Sequence, residues 1–482
     1  MENTASVSPP IYHFLLAGQW HQGGETYEVR SPYHQRTIGI VSRAGPADLE
    51  RAIQAAVAAS AGMRRLPLHQ RAAILRSTSE GLSAEAEEIA RTIAQEAAKP
   101  IKQARAEVQR SIFTFAQAAE EATRLHGEVI NLDASAVGEG RYGIVRRFPV
   151  GPVAAITPFN FPLNLVAHKL APAFAAGCPV VLKPASQTPL SSLKLAEIML
   201  DAGCPEGALS VLPMQSKDAT PLVEDERFKL LTFTGSPAVG WAMKNRAGRK
   251  RVMLELGGNA GVMVHQDADL SFAASRITTG GFAHAGQSCI SVQRIFVHRP
   301  VYDQFMHLLV PSVQALKMGD PLDEETDLSS LIAPTEAERV AQWLEEARAA
   351  GATVVTGGGV RGGMVEPTIL VGARPDLAVN CQEVFAPVVT VQVYDDFETA
   401  LELVNDSDFG LQAGVFTHDV RLVWRAYETL EVGGVIINDV PTWRVDHMPY
   451  GGVKQSGFGR EGVKYAIEEM TEPRLLVLNV AG

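Results

Sequence analysis

The chain has 482 residues, 46% of them hydrophobic and 20% charged, enough for two or three cooperating domains and too apolar for a disordered protein. A formal net charge of -11 disfavours a polyanionic partner, so nucleic acid is set aside. Four cysteines are too few and too scattered for a disulfide framework or a metal site, which points to a reducing, cytoplasmic compartment.

Met1 to Pro10 carries Glu2 and no apolar core, so it reads as a loose tail rather than a secretory signal. Phe14 to Val29 alternates and is broken by Gly18 and Gly23-Gly24, as an edge hairpin would be. Pro46 to Ala61 and Leu68 to Ala97 are rich in alanine, glutamate and arginine and predict amphipathic helices. From Pro149 onward come short apolar runs bounded by glycine and proline: Val153 to Ile156, Val180 to Leu182, Leu209 to Leu212 and Leu230 to Phe233. Helical stretches follow each of them, the pattern of a doubly wound parallel sheet. The longest apolar stretch, Leu163 to Leu182, is interrupted by His168, Lys169, Pro172 and Pro179 and is not a membrane span.

After Glu255 a second alternation begins, with expected strands at Ile295 to His298, Thr353 to Thr356, Val388 to Tyr394, Ala413 to Phe416 and Gly434 to Asn438. Two such units in series imply a ligand cleft between them. Gly140 to Phe148 and Arg474 to Val480 are strand-like without a partner in their own unit and predict an arm that pairs with another subunit, in a homodimer or homotetramer. Neither an internal repeat nor a low-complexity segment is present.

A formal Gly-x-Gly-x-x-Gly match at Gly357, Gly359 and Gly362 is followed by Met364 to Leu370, with Pro367 and β-branched residues. No helix N-terminus would face a phosphate there, so a glycine-rich surface turn is the better reading. Phe233-Thr234-Gly235-Ser236-Pro237-Ala238-Val239-Gly240 follows a strand and opens a helix, with Pro237 suited to the first turn; that is a phosphate site. Ile156-Thr157-Pro158-Phe159-Asn160-Phe161-Pro162 lies at a strand's carboxyl end. Asn160 can donate to an oxyanion or simply stabilise a turn. Lys183 can reach a ribose hydroxyl or phosphate, or be solvated. Cys289 follows a run of small residues, Gly280 to Ser288, that lets backbone approach a substrate, while Cys178, Cys204 and Cys381 read as small buried hydrophobes.

In this order the segment 158–162, Lys183-Pro184, the turn 233–236, Glu255-Leu256-Gly257-Gly258, Gly286-Gln287-Ser288-Cys289, Glu383-Val384-Phe385-Ala386-Pro387 and Pro449-Tyr450-Gly451-Gly452 resemble the NAD(P)-dependent aldehyde dehydrogenase superfamily. The resemblance spans nearly the whole chain. It implies an α/β fold of two doubly wound parallel-sheet domains, a Rossmann-like cofactor domain at 1–126 and 149–256 and a catalytic domain at 257–455. A β oligomerisation arm would comprise 127–148 and 467–482.

It further implies that Cys289 attacks the aldehyde, that Asn160 and the Cys289 N–H meet the oxyanion, and that Glu255 activates water to hydrolyse the thioester. NAD or NADP would lie on Thr157, Pro158, Lys183, Ser186, Gly235, Ser236, Gly240, Glu383 and Phe385. Ser186 stands where many relatives carry a glutamate, which leaves room for the 2′-phosphate of NADP. Phe159 replaces a common tryptophan.

Around Arg444 the sequence resembles the lactaldehyde and phosphonoacetaldehyde dehydrogenase branch. The expected substrate is a small polar or anionic aldehyde met by Arg110, Phe161, Arg444 and His447. Arg444 also admits a salt bridge to Asp446 or a subunit contact. The alternatives to hydrolysis are transfer to coenzyme A and a non-catalytic protein of the same fold; Glu255 argues against the first, and Cys289 with Glu255 against the second.

Overall fold

The computed structural model describes residues 9–480; the expected tail falls, except for its last two residues, outside the described residues. Five parallel strands form the centre of the first sheet, in the order Arg251–Glu255, Leu230–Thr234, Val153–Ile156, Val180–Lys183, Leu209–Val211. The three in the middle are buried along their whole length, which is why they are continuous apolar runs rather than alternating ones. Antiparallel strands close both edges: Gly457–Phe458 beside Arg251–Glu255, and Phe14–Leu16 with Gln19–His21 beside Leu209–Val211.

The hairpin expected over Phe14 to Val29 therefore ends at His21. Glu25–Arg30 leaves it to join Thr37–Arg43 and Ile11–Tyr12 in a separate three-stranded sheet. Gly23 makes that departure possible, because a Cβ there would lie 2.3 Å from the Arg43 carbonyl oxygen. The helix expected over Leu68 to Ala97 is two, Leu68–Ala84 and Ala86–Ala97, bent at Glu85. The bend brings Leu75 and Leu82 of one and Ile89 and Ile93 of the other into a single core against the sheet. The interrupted apolar stretch forms the wholly buried helix Asn164–Ala176. Among the described residues no helix is long and apolar enough to cross a membrane.

The second sheet runs Thr353–Thr356, Thr368–Val371, Val388–Tyr394, Val292–His298, Ala260–Val264, Gln412–Phe416, Gly434–Ile437. All are parallel except Thr353–Thr356, which pairs antiparallel with Thr368–Val371. That edge strand reverses because the link to Thr368 is too short for a crossover helix, and the doubly wound parallel core is unaffected. Gly357, at φ +75°, and Gly362, at φ +57°, lie in that link, which holds only the small ribbon Val360–Arg361 and Met364–Val365.

A third, antiparallel sheet joins Glu128–Asn131, Arg141–Pro149 and Thr471–Asn479. Leu475, Leu476, Val477 and Leu478 on it are 43 to 53% exposed. The architecture is thus α/β, with two doubly wound sheets and a β arm. Of the cysteines read as buried hydrophobes only Cys178 is fully so; Cys204 and Cys381 are half-buried.

Candidate active site

In the first sheet the strand Val153–Ile156 sits at the centre, with the next two strands laid down on one side and the following two on the other. The loops leaving its carboxyl end and that of Leu230–Thr234 consequently diverge, and a crevice opens between them. Facing it is the amino-terminal edge of the second sheet, where Ala283 to Ile290 lead into Val292–His298 and Glu383 and Phe385 into Val388–Tyr394. Between them lies a cavity of about 440 Å³ whose walls include Pro158, Asn160, Gly235, Ser236, Glu255 and Cys289.

Cys289 arrives there through a contorted backbone. His284 and Ala285 have φ of 50° and 52°, a left-handed conformation unfavourable for residues with a Cβ, and Gly286 follows at 71°. The neighbours leave no slack: a Cβ on Gly286 would lie 2.2 Å from the Ala386 carbonyl oxygen, and one on Gly258 would lie 2.0 Å from that of Cys289. The Cys289 sulfur is 3.1 Å from the Tyr450 hydroxyl. Burial pushes the thiol up to about 12, with the charges of Glu383 and Glu255 adding to it and the Tyr450 bond and Arg444 opposing.

Asn160 donates one amide hydrogen to the Gln287 carbonyl at 3.0 Å, which pins it beside the Cys289 loop and leaves its second hydrogen free to face the cavity. Glu255 ends its strand buried, with Oε2 unpartnered. Burial first, and the charge of Glu461 second, hold its carboxyl well above the usual carboxylate range, against Arg444, Lys169 and Arg460. Glu461 goes the other way: Lys169 at 3.2 Å and its other cationic neighbours outweigh burial and keep it ionised.

Of the expected cofactor residues, Pro158, Gly235, Ser236, Glu383 and Phe385 line the cavity, whereas Thr157, Lys183, Ser186 and Gly240 are not among its walls. Lys183 is buried, its Nζ touching only the Pro184 carbonyl at 3.5 Å, and no carboxylate pairs with it among the described residues. Burial lowers it from the ordinary lysine value. Thr157 is buried beside it, with its N–H donating to the Lys183 carbonyl, while Ser186 is exposed. Ser236 precedes the first turn of the helix Pro237–Arg246. Gly235 and Gly240 are packing positions: a Cβ would lie 2.5 Å from the Phe233 ring in one case and 2.4 Å from Leu256 in the other. Glu383 accepts from the Gly258 N–H at 2.9 Å, and burial pushes it up to about 7. Phe385 meets Phe159 edge-on. An unpaired buried ammonium, the orphaned Thr234 hydroxyl and a free helix N-terminus suit a dinucleotide's ribose hydroxyls and phosphates.

At the other end Arg444 is buried with its guanidinium carbon 3.6 Å from the Tyr450 ring centroid. Its Nη2 is 3.6 Å from Glu461, and its Nε has no partner. Asp446 binds Arg110 rather than Arg444, at 2.7 Å, and lies 2.8 Å from His168 Nε2. Phe161 carries Lys99 over its ring at 3.7 Å and Arg110 at 5.8 Å. Phe161, Arg110 and Arg444 all line the cavity. His447 does not: it is exposed and stacks edge-on against Phe113, so the expectation of a substrate contact there is corrected.

Tyr450, Glu461, Lys169, His168 and Asp446 are the residues that sequence reasoning left without a role. The signal was present for two of them, since His168 and Lys169 interrupt an otherwise apolar stretch that the fold buries.

The aldehyde dehydrogenase family model matches residues 20–476. The 3-sulfolactaldehyde dehydrogenase of Priestia aryabhattai is 45% identical over 470 residues, covering 97% of this chain and 98% of that protein. Aldehyde dehydrogenase 21 from Physcomitrella patens, solved in complex with the reaction product succinate, superposes with a TM-score of 0.97 at 46% identity over 99% of this chain and 100% of that one. The glyceraldehyde-3-phosphate dehydrogenase GapN of Methanocaldococcus jannaschii, solved with NADP, gives a TM-score of 0.91 at 38% identity over 95% and 100%.

Proposed function

The chain belongs to the aldehyde dehydrogenase family, and on that premise we propose that it oxidises a small anionic aldehyde to the carboxylic acid with NAD(P). The observation that carries the substrate class is the buried Arg444 guanidinium, with its unpartnered Nε, in the same cavity as Cys289 and Glu255. A carboxylate, sulfonate or phosphate would satisfy that donor, and a buried cation rewards such a partner strongly. The relatives fit: 3-sulfolactaldehyde, glyceraldehyde 3-phosphate and succinate each carry an anionic group away from the reacting carbon.

In this reading the Cys289 sulfur attacks the aldehyde carbonyl to form a thiohemiacetal. The free hydrogen of the Asn160 amide and the Cys289 N–H stabilise the oxyanion. Lys183, Ser236 and Glu383, with Thr157 and Pro158, would hold NAD(P), which when bound would supply the hydride acceptor for oxidation of the adduct to a thioester. Glu255, ionised, takes a proton from water, which then cleaves the thioester and frees the acid. With that carboxylate in the cavity, hydrolysis is favoured over transfer to coenzyme A. Ser186 leaves space for a 2′-phosphate, so NADP is accepted.

The domains are 1–126 with 149–256, and 257–455. The arm, 127–148 with 467–482, joins copies into a homodimer or homotetramer.

A panel of neutral and anionic aldehydes of matched length, run with NAD and with NADP, tests the substrate class. Higher kcat/KM for the anionic members is expected; a preference for neutral aldehydes would overturn it. Cys289→Ala should bind cofactor and lose oxidation, and retained turnover would refute the nucleophile.

A further inference from the structure

Among the described residues the Cys289 sulfur has a single hydrogen-bond partner, the Tyr450 hydroxyl. Tyr450 is 3% exposed, and that hydroxyl has no other bond among the described residues. The guanidinium of Arg444 lies over the face of the same ring. A cation in that position draws on the ring's electron density and is held by it, and it makes the phenol O–H a stronger donor.

From this stack and this bond we propose that Tyr450 is a catalytic residue, its O–H donating to the Cys289 sulfur and favouring the thiolate, with Arg444 as the positioning residue that orients and polarises the phenol. The inference rests on the reading of Cys289 as the nucleophile.

The groups that face the sulfur leave this task to these two. Glu255 comes from the first sheet and Glu383 from the segment before Val388–Tyr394, and both are carboxylates that oppose an anion on sulfur. Burial opposes it more strongly still. Tyr450 and Arg444 favour it.

The direction of the hydrogen bond follows from the phenol's own surroundings. Burial, reinforced by the neighbouring Cys289 and Glu255, keeps Tyr450 protonated well beyond its ordinary range, so when the sulfur ionises the phenol is the donor. No bond within the phenol breaks; the thiol proton is released to solvent through the cavity. Arg444 Nη2 lies in turn 3.3 Å from His168 Nε2 and 3.6 Å from Glu461, which also binds Lys169, with Asp446 and Glu255 adding to the negative field around it.

Tyr450→Phe tests the proposal. It keeps the ring on which Arg444 stacks and removes only the hydroxyl, so a thermal midpoint close to that of the unsubstituted enzyme is expected. The measurement is the pH dependence of alkylation by iodoacetamide, a neutral reagent, without aldehyde, with the adduct on Cys289 quantified by mass spectrometry. The half-buried Cys204 and Cys381 serve as internal references.

At a pH below its midpoint Cys289 should be alkylated about tenfold or more slowly in Tyr450→Phe, the effect of a midpoint raised by about one unit or more. Arg444→Met should shift it in the same direction. A Cys289 profile unchanged or shifted downward in Tyr450→Phe overturns the proposal. Because this readout needs no turnover, it is independent of the Cys289→Ala result on which the nucleophile reading stands.

Discussion

Replacing Arg444 by methionine separates recognition of the anion from the chemistry. Methionine fills the space of the arginine stem without its charge, so the packing against Tyr450 is largely kept. Glu461 is not stranded by the change, because Lys169 remains 3.2 Å from it. What is lost is a buried donor whose Nε has no partner among the described residues. A hydrogen bond to a charged group contributes about 1.5–3 kcal/mol, and at tenfold per about 1.4 kcal/mol kcat/KM for an anionic aldehyde should fall by roughly one to two orders of magnitude.

A neutral aldehyde of the same length never makes that bond. It should lose only what Arg444 contributes through Tyr450 and Glu255. The assay is the ratio of the two kcat/KM values in each protein, which cancels the shared loss. An unchanged ratio, with both substrates reduced alike, would refute the anion site even if the variant were much slower.

Four further outcomes are expected. Glu255→Gln should still give about one equivalent of reduced cofactor in the first turnover, with kcat then lower by about 10²–10⁴ because the thioester persists; an unaltered steady state would sink the base assignment. In the unsubstituted enzyme kcat should decline as pH falls through a value above the usual carboxylate range. Glu255 must be ionised to accept a proton, burial raises its pKa, and removing the Arg444 cation should move that limb to higher pH; the pH profiles of both proteins check the sign. Ser186→Glu should lower kcat/KM for NADP about tenfold or more while sparing NAD, and Leu476→Asp on the exposed face of the arm should reduce the oligomer's mass in size-exclusion chromatography with light scattering.

The first sheet was legible because burial on both faces writes its strands as uninterrupted apolar runs, Val153 to Ile156 being the plainest. The gathering of Cys289, Glu255 and Asn160 around one cavity was legible because ordered motifs surround them. Strand direction was not: Thr353–Thr356 has the composition of its neighbours, and only the short link to Thr368 reverses it. The charged interior was hidden for a different reason. No motif marks Lys169, Glu461 and Asp446 as buried, and their burial with Arg444 depends on partners brought together from helix Asn164–Ala176 and the 441–461 segment. His447 shows the converse error, since adjacency to Arg444 and Asp446 in sequence said nothing about which way the loop turns its ring.

The chain passes from the first sheet to the second between Glu255 and Ala260, and it returns by pairing Gly457 directly with Glu255. Outgoing and returning connections thus lie side by side at Glu255, and the Leu256 N–H donates to the Ser456 carbonyl at 2.9 Å just beyond it. The place of the carboxylate between the two sheets is therefore set by main-chain pairing as well as by side-chain packing. A second tie away from this seam, from the Ile101 N–H to the Pro321 carbonyl at 2.7 Å, fixes how the two sheets face each other across the cleft.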